Sequence, residues 1–274
     1  MRTLPLVLAL LAAGASAQTP SWTPLPTAGT SVSLTADKAF FDGGNEGLGA
    51  ATSAWFLGTS QPVGPGLRVT GDLPFSFVSY EGGQGEESGA AVGNLRVGVE
   101  ADVRPGLALG LSLRLPTASG GETDETQNAL AFASFATYDR IGAFLPDVAT
   151  VSALGEYWAR PSAAPALAFR LRAEPQVIVP ISDDDDTIDE TEVLAGYAAH
   201  AFYEVGRGRV GLGVSGLSIL TEDTGDRHEV AVGALADVAV GAFRPGLVVR
   251  APVAGTLDNF VDTVVGLSLS YTVR

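Results

Sequence analysis

The sequence predicts an all-β protein: an antiparallel transmembrane β-barrel of about twelve strands behind a cleaved signal peptide. Three observations carry this. The chain opens with an export signal, its apolar residues alternate with polar ones at period two in segment after segment, and its connections alternate between short basic turns and long acidic loops.

The basic start Met1-Arg2-Thr3 is followed by LPLVLALLAAGASA, an apolar run ending in small residues with Ala15 and Ala17 placed for cleavage after Ala17. The run is shorter than the about 20 apolar residues a membrane helix needs. Residues 1–17 are therefore read as the signal peptide, 18–29 (QTPSWTPLPTAG) as a periplasmic lead-in and 30–274 as the barrel. With no cysteine in the chain, disulfides play no part, so strand pairing has to hold the fold. A net charge of −15 excludes nucleic acid as a partner, since phosphate recognition needs basic patches.

Strands follow in order. TSVSLTADKAFF (30–41), GAATSAWFLG (49–58) and GLRVTGDLPFSFVSY (66–80) come first. The clearest pair is GNLRVGVEADVRPGLALGLSLRLPT (93–117): Leu95, Val97, Val99, Ala101 and Val103 share one face, Asn94, Arg96, Glu100 and Asp102 the other, and after Arg104-Pro105-Gly106 the leucines from Leu107 to Leu115 repeat the alternation. A strand over 148–158 comes next. In ALAFRLRAEPQVIVPI (166–181), Leu167, Phe169 and Leu171 oppose Arg170, Arg172, Glu174 and Gln176. TEVLAGYAAHAFYEV, RVGLGVSGLSIL, HEVAVGALADVAVG and LVVRAP lead to VDTVVGLSLSYTVR at the carboxyl end. A soluble β-sandwich would also alternate, but it would bury bulky aromatics and expose polar residues; here one face is aliphatic and the other charged.

The connections fall into two classes. VGPG (63–66), VRPG (103–106), ARPSAAP (159–165), GRGR (206–209) and AFRPG (242–246) are short. DGGNEG (42–47), EGGQGEESG (81–89), the stretch after Thr117, DDDDTIDETE (183–192), TEDTGDR (221–227) and GTLDN (255–259) are longer and hold most of the acidic residues. Short turns on one rim and long loops on the other is the asymmetry of outer-membrane barrels. Parity then requires 118–147 to be one long outer loop, and its poorly alternating NALAFASFATY is expected as a helix or plug at the mouth, or as an extension of the wall.

Residues 66–121, through LRVTGDLPFSFVSY and GNLRVGVEADVRPGLALGLSLRLPTASGG, resemble the outer-membrane "MetA-pathway of phenol degradation" family of transporters. Asn94 stands where that family usually carries aspartate, and Leu115-Pro116-Thr117-Ala118 lacks its usual glycine. The resemblance implies a barrel of this size that passes aromatic or other hydrophobic small molecules. Residues 261–274 similarly resemble the terminal strand by which barrel-assembly machinery recognises its clients, with Arg274 in place of a terminal aromatic.

Alternation places Arg68, Asp72, Asn94, Arg96, Glu100, Arg114, Arg170, Arg172, Glu174, His200, Glu229 and Asp237 on the lumen side, with Asp102, Gln176, Glu204, Arg250 and Asp262 beside them. Their mixed signs point to a salt-bridged filling more than to an ion-selective lining. The run Asp183–Asp186, with Asp189, Glu190 and Glu192, lacks the D-x-[DN]-x-[DN]-G spacing of a calcium loop, so no metal is expected. His200 and His228 stand without a G-x-S-x-G or His-x-Ser pattern, so neither catalysis nor a cofactor is expected. The expected partners are outer-membrane lipid, the assembly machinery and a small solute. The alternative is a non-conducting structural or adhesion barrel acting through its acidic loops.

Overall fold

The computed structural model describes Trp22 and residues 29–41, 51–82, 85–118, 124–181, 190–221 and 228–273. The signal peptide, the run Asp183–Asp186 with Asp189, and most of the loops 42–47 and 221–227 lie outside these residues.

Thirteen strands form one antiparallel sheet. They are β1 (Ser31–Phe41), β2 (Ala51–Gly64), β3 (Leu67–Gly82), β4 (Gly85–Val92), β5 (Arg96–Arg104), β6 (Leu107–Arg114), β7 (Val148–Ala159), β8 (Leu167–Pro180), β9 (Glu192–Val205), β10 (Gly208–Ile219), β11 (His228–Val238), β12 (Phe243–Ala254) and β13 (Val261–Thr272). Consecutive strands pair except β4 and β5, both of which pair with β3; β13 pairs with β1, so the sheet closes on itself. Closure pairs the strand edges around the wall apart from the far side of β4, and in lipid an unpaired backbone group costs several kcal/mol.

The wall has twelve positions because β4 and β5 share one. The lower part of β3 pairs with β5 (Leu67↔Ala101 to Asp72↔Arg96) and its upper part with β4 (Phe75↔Val92 to Gly82↔Gly85). Residues 81–89, expected as a loop, are thus largely a hairpin extension of the wall. Alternation of small and apolar residues (Gly89, Ala90, Ala91, Val92) continues the ladder where the acidic composition suggested a loop.

The two faces sort as the alternation requires. In β8 burial alternates residue by residue: Arg170, Arg172, Glu174 and Gln176 are buried while Phe169, Leu171, Val177 and Val179 are exposed on the outside. In β5 and β6, Val97, Val99, Leu109, Leu111 and Leu113 face out. Two local departures matter. Asp262, expected inward, is exposed, because the register between β1 and β13 steps from Phe40↔Thr263 to Phe41↔Val261 and leaves it as the bulge residue. The last turn falls at residues 239–242, ahead of the expected 242–246, because Gly241 supplies the left-handed conformation (φ +65°) and Arg244-Pro245-Gly246 already pair with β13.

After β6 the chain folds inward. Residues Asp124–Ala136 form α1, an alanine-rich helix with Asp124 and Glu125 in its first turn, where the helix dipole favours negative charge. Its Ala129, Leu130, Ala133 and Ala136 are buried, and Phe132 meets Phe41 of β1 edge-on at 5.4 Å between ring centroids. A 3-10 turn, Tyr138–Ala143, continues the insert. Of the expected alternatives for this stretch, a helix in the mouth is the one that forms. No helix among the described residues is long and apolar enough to cross a membrane.

Candidate functional site

The lumen is the candidate site, and its two halves differ. In the outer half the inward faces are mostly apolar: Ala39, Ala54, Phe56, Val78, Val148, Ile178, Leu194, Leu217, Val261 and Val264 form one cluster with α1 and Phe144, with the hydroxyls of Thr52, Ser76 and Thr150 buried among them. Sequence alternation suggested a polar inner face throughout. QVIVPI in β8 accounts for the difference, since its outer end is apolar on both faces.

The lower half is charged, and nearly every charge is paired. Arg170 donates through Nε to Glu156 Oε2 at 2.9 Å, with Trp158 Nε1 on the other carboxylate oxygen at 2.7 Å; Arg172 bridges Glu156 and Glu174. Asp72 lies between two guanidiniums, Arg114 at 3.1 Å and Arg96 at 3.6 Å. Arg68 reaches Glu100 at 3.0 Å and Asp102 at 3.0 Å. At the periplasmic end Arg209 donates twice to Asp237 Oδ2, at 2.9 and 2.8 Å, and Arg244 takes Oδ1 at 2.7 Å. Neighbouring strands supply opposite charges at facing positions, as in Asp72↔Arg96, Arg68↔Glu100 and Arg209↔Asp237.

The insert is clamped to this framework. Arg140 donates to Asp37 Oδ2 at 2.6 Å and lies 3.5 Å over the Phe56 ring. Arg250 stands between Asp37 and Asp139, at 3.4 and 3.3 Å, and donates to Ala136 O at 3.1 Å. Ser215 of β10 joins two segments: Trp22 Nε1 donates to its Oγ at 2.9 Å, and the Tyr138 hydroxyl lies 2.8 Å away. Burial pushes the Tyr138 hydroxyl up to about 12, so it remains a neutral hydrogen-bonding group. Trp22, within the expected lead-in, is therefore inside the barrel, edge-on to His200 at 4.6 Å. The cavity left between Trp22, Thr35, Asp37 and Arg250 is about 10 Å³, less than room for a water molecule to move in.

Asn94 ties the insert to the wall. Its Nδ2 donates to Gly142 O at 3.0 Å and Leu145 O at 2.6 Å, while its Oδ1 accepts from Ala118 N at 2.8 Å. A side chain at Gly93 would run into Ala143 O, so glycine is what permits this approach. At this level the wall also has a seam. β6 ends at Arg114, and among the described residues β4 pairs only with β3 and shares no ladder with β7; at the level of Asn94 the chain is held by irregular bonds, with Leu115 N on Leu95 O, Leu95 N on Thr117 Oγ1 and Asp147 N on Ala118 O.

Of the residues expected to line the lumen, Asp72, Asn94, Arg96, Glu100, Arg114, Arg170, Arg172, Glu174, His200 and Asp237 are buried inside, and Arg68 is slightly more open. Glu229 is half-buried and accepts the Thr256 and Leu257 backbone N–H groups, a loop-holding role outside the charged layer. Asp102 is exposed, and Glu204 pairs with Arg160 at the rim. Unanticipated members are Asp37, Asp139, Arg140, Glu156 and Arg209. Glu156 sits at inward parity and was open to discovery by alternation; Asp37 sits at inward parity beside the charged Lys38, and Asp139 and Arg140 belong to a stretch with no period.

Among solved structures, the fold matches an outer-membrane channel from Pseudomonas putida F1 (TM-score 0.66, 14% identity, 92% of this chain and 98% of that one). It also matches the translocator domain of the autotransporter NalP from Neisseria meningitidis (0.57, 10%, 90% of each chain) and LpxR from Salmonella typhimurium (0.51, 11%, 89% and 100%). No family model matches the sequence, and no curated protein matches it. The likeness shows the fold, a closed β-barrel of the kind that outer-membrane proteins have.

Proposed function

We propose that this outer-membrane barrel admits small apolar molecules, aromatic ones among them, into its outer half when the insert of α1 and the 3-10 turn, packed there as a gate, moves aside. The observation that carries this is the apolar inward face of the outer half, including Phe56, Ile178, Leu194 and Val264. A pore for hydrophilic solutes would line that mouth with polar groups. The resemblance of residues 66–121 to the phenol-degradation transporters and the fold likeness to an outer-membrane channel support the same reading. An apolar solute need not desolvate the charged layer below: the seam between β4 and β7, short of strand-to-strand bonds, offers it a sideways exit into lipid.

The chain has no cysteine, so the gate can be locked cleanly. A β-carbon at Gly142 would stand 3.4 Å from Thr150 Cβ, close to disulfide geometry. Cells carrying Gly142→Cys with Thr150→Cys are expected to take up the fluorescent probe N-phenyl-1-naphthylamine faster under reducing than under oxidising conditions. Equal uptake in both states, at the level of cells lacking the barrel, would mean a sealed structural barrel.

A further inference from the structure

The outer wall carries a concavity unrelated to the lumen. On the lipid side of β8 to β12, beside the short periplasmic turns, an apolar groove of about 500 Å³ is lined by Leu167, Tyr203, Leu212, Ala234, Ala236 and Leu247. Its shape follows from register. One cross-strand row runs Ala201–Leu212–Ala234 and the next Tyr203–Val210–Ala236–Leu247, so alanines leave hollows between the larger side chains. The volume is on the scale of one long acyl chain.

The rim below the groove supplies a charge. Three of its arginines are occupied: Arg160 by Glu204, and Arg209 and Arg244 by Asp237. Arg207, at the tip of the β9–β10 turn, is exposed and has no acidic partner among the described residues. Tyr203, Tyr157, Phe243 and Tyr271 are exposed outward near the same rim, where aromatic girdles mark the headgroup level. Arg207 follows Tyr203 by four residues, which places it beyond that girdle, at phosphate depth.

We propose that this groove and Arg207 form a site for one anionic glycerophospholipid of the periplasmic leaflet, its acyl chain in the groove and its phosphate on the guanidinium. Anionic lipid fits this rim because its turns are basic while the acidic loops gather at the other end.

The folded barrel, purified in detergent and supplied with palmitoyl-oleoyl-phosphatidylglycerol or the matching phosphatidylcholine, is examined by native mass spectrometry. One phosphatidylglycerol is expected to remain bound in preference to phosphatidylcholine. Arg207→Gln should weaken its retention about fivefold, the worth of one basic side chain near a lipid phosphate. Ala234→Phe with Ala236→Phe, filling the groove from the lipid side, should abolish retention, while unchanged heat-modifiable gel mobility verifies folding. Arg160→Gln, whose arginine is already paired, should change nothing. Equal retention of the two lipids, or unchanged retention in either the Arg207 or the groove variant, overturns the proposal.

Discussion

Glu156 is among the carboxylates that hold the interior together, since it faces both Arg170 and Arg172 and is 1% exposed. Removing it strands buried positive charge, which is far more costly than removing a whole pair. Glu156→Gln is therefore expected to lower stability by about 3–5 kcal/mol in urea unfolding from lipid vesicles. Glu156→Leu combined with Arg170→Leu should recover most of that loss, since Arg172 keeps Glu174. If the single variant unfolds like the parent, the pairing contributes nothing. Arg170, Arg172 and Glu174 were legible from alternation alone, since each stands between outward Phe169, Leu171 and Ala173. Asp37 was obscured by Lys38, a charge at an outward position lying 5.3 Å over the Phe40 ring, which breaks the simple pattern of β1.

At the scale of elements, strands with one charged face were readable from the sequence, while the insert was readable only as a stretch that fails to alternate. Its position depends on contacts distant in sequence, such as Arg140 with Asp37 and Arg250 with Asp139. The interruption between β4 and β5 was equally hidden, because the outward face changes parity there, from Val92 in β4 to Val97 in β5, among small residues (Gly89, Ala90, Ala91, Gly93) that show no pattern of their own. Asn94 is suited to this place by having both a donor and an acceptor: it gives two hydrogen bonds and accepts one. An aspartate can only accept, and would set a carboxylate against the carbonyls of Gly142 and Leu145. Asn94→Asp is accordingly expected to loosen the insert while leaving the ladders intact. Limited proteolysis within residues 118–147 should accelerate several-fold, with gel mobility of the folded barrel unchanged; cleavage at the parent rate would mean that Asn94 does not hold the insert.

For the whole molecule, the ruling relation is that one wall separates lipid from a filled interior. Closure and membrane placement were legible because both follow from parity and loop asymmetry, which are local in sequence. The filling was not, since it depends on which charges meet across the lumen. The placement has a measurable depth profile. Leu111, at the middle of β6, is 61% exposed and faces the hydrocarbon, while Val103, beside the β5–β6 turn, is 52% exposed at the rim. Exposure alone would make the two positions equivalent in water. In a bilayer, arginine costs about 2–4 kcal/mol at the midplane and falls to about 0–1 kcal/mol near the interface. Leu111→Arg should therefore lower folding free energy in phosphatidylcholine vesicles by the larger amount and Val103→Arg by little. Leu111→Ala serves as the control for lost apolar contact alone. Equal losses at residues 103 and 111 would remove the depth gradient and, with it, the hydrocarbon from around this wall.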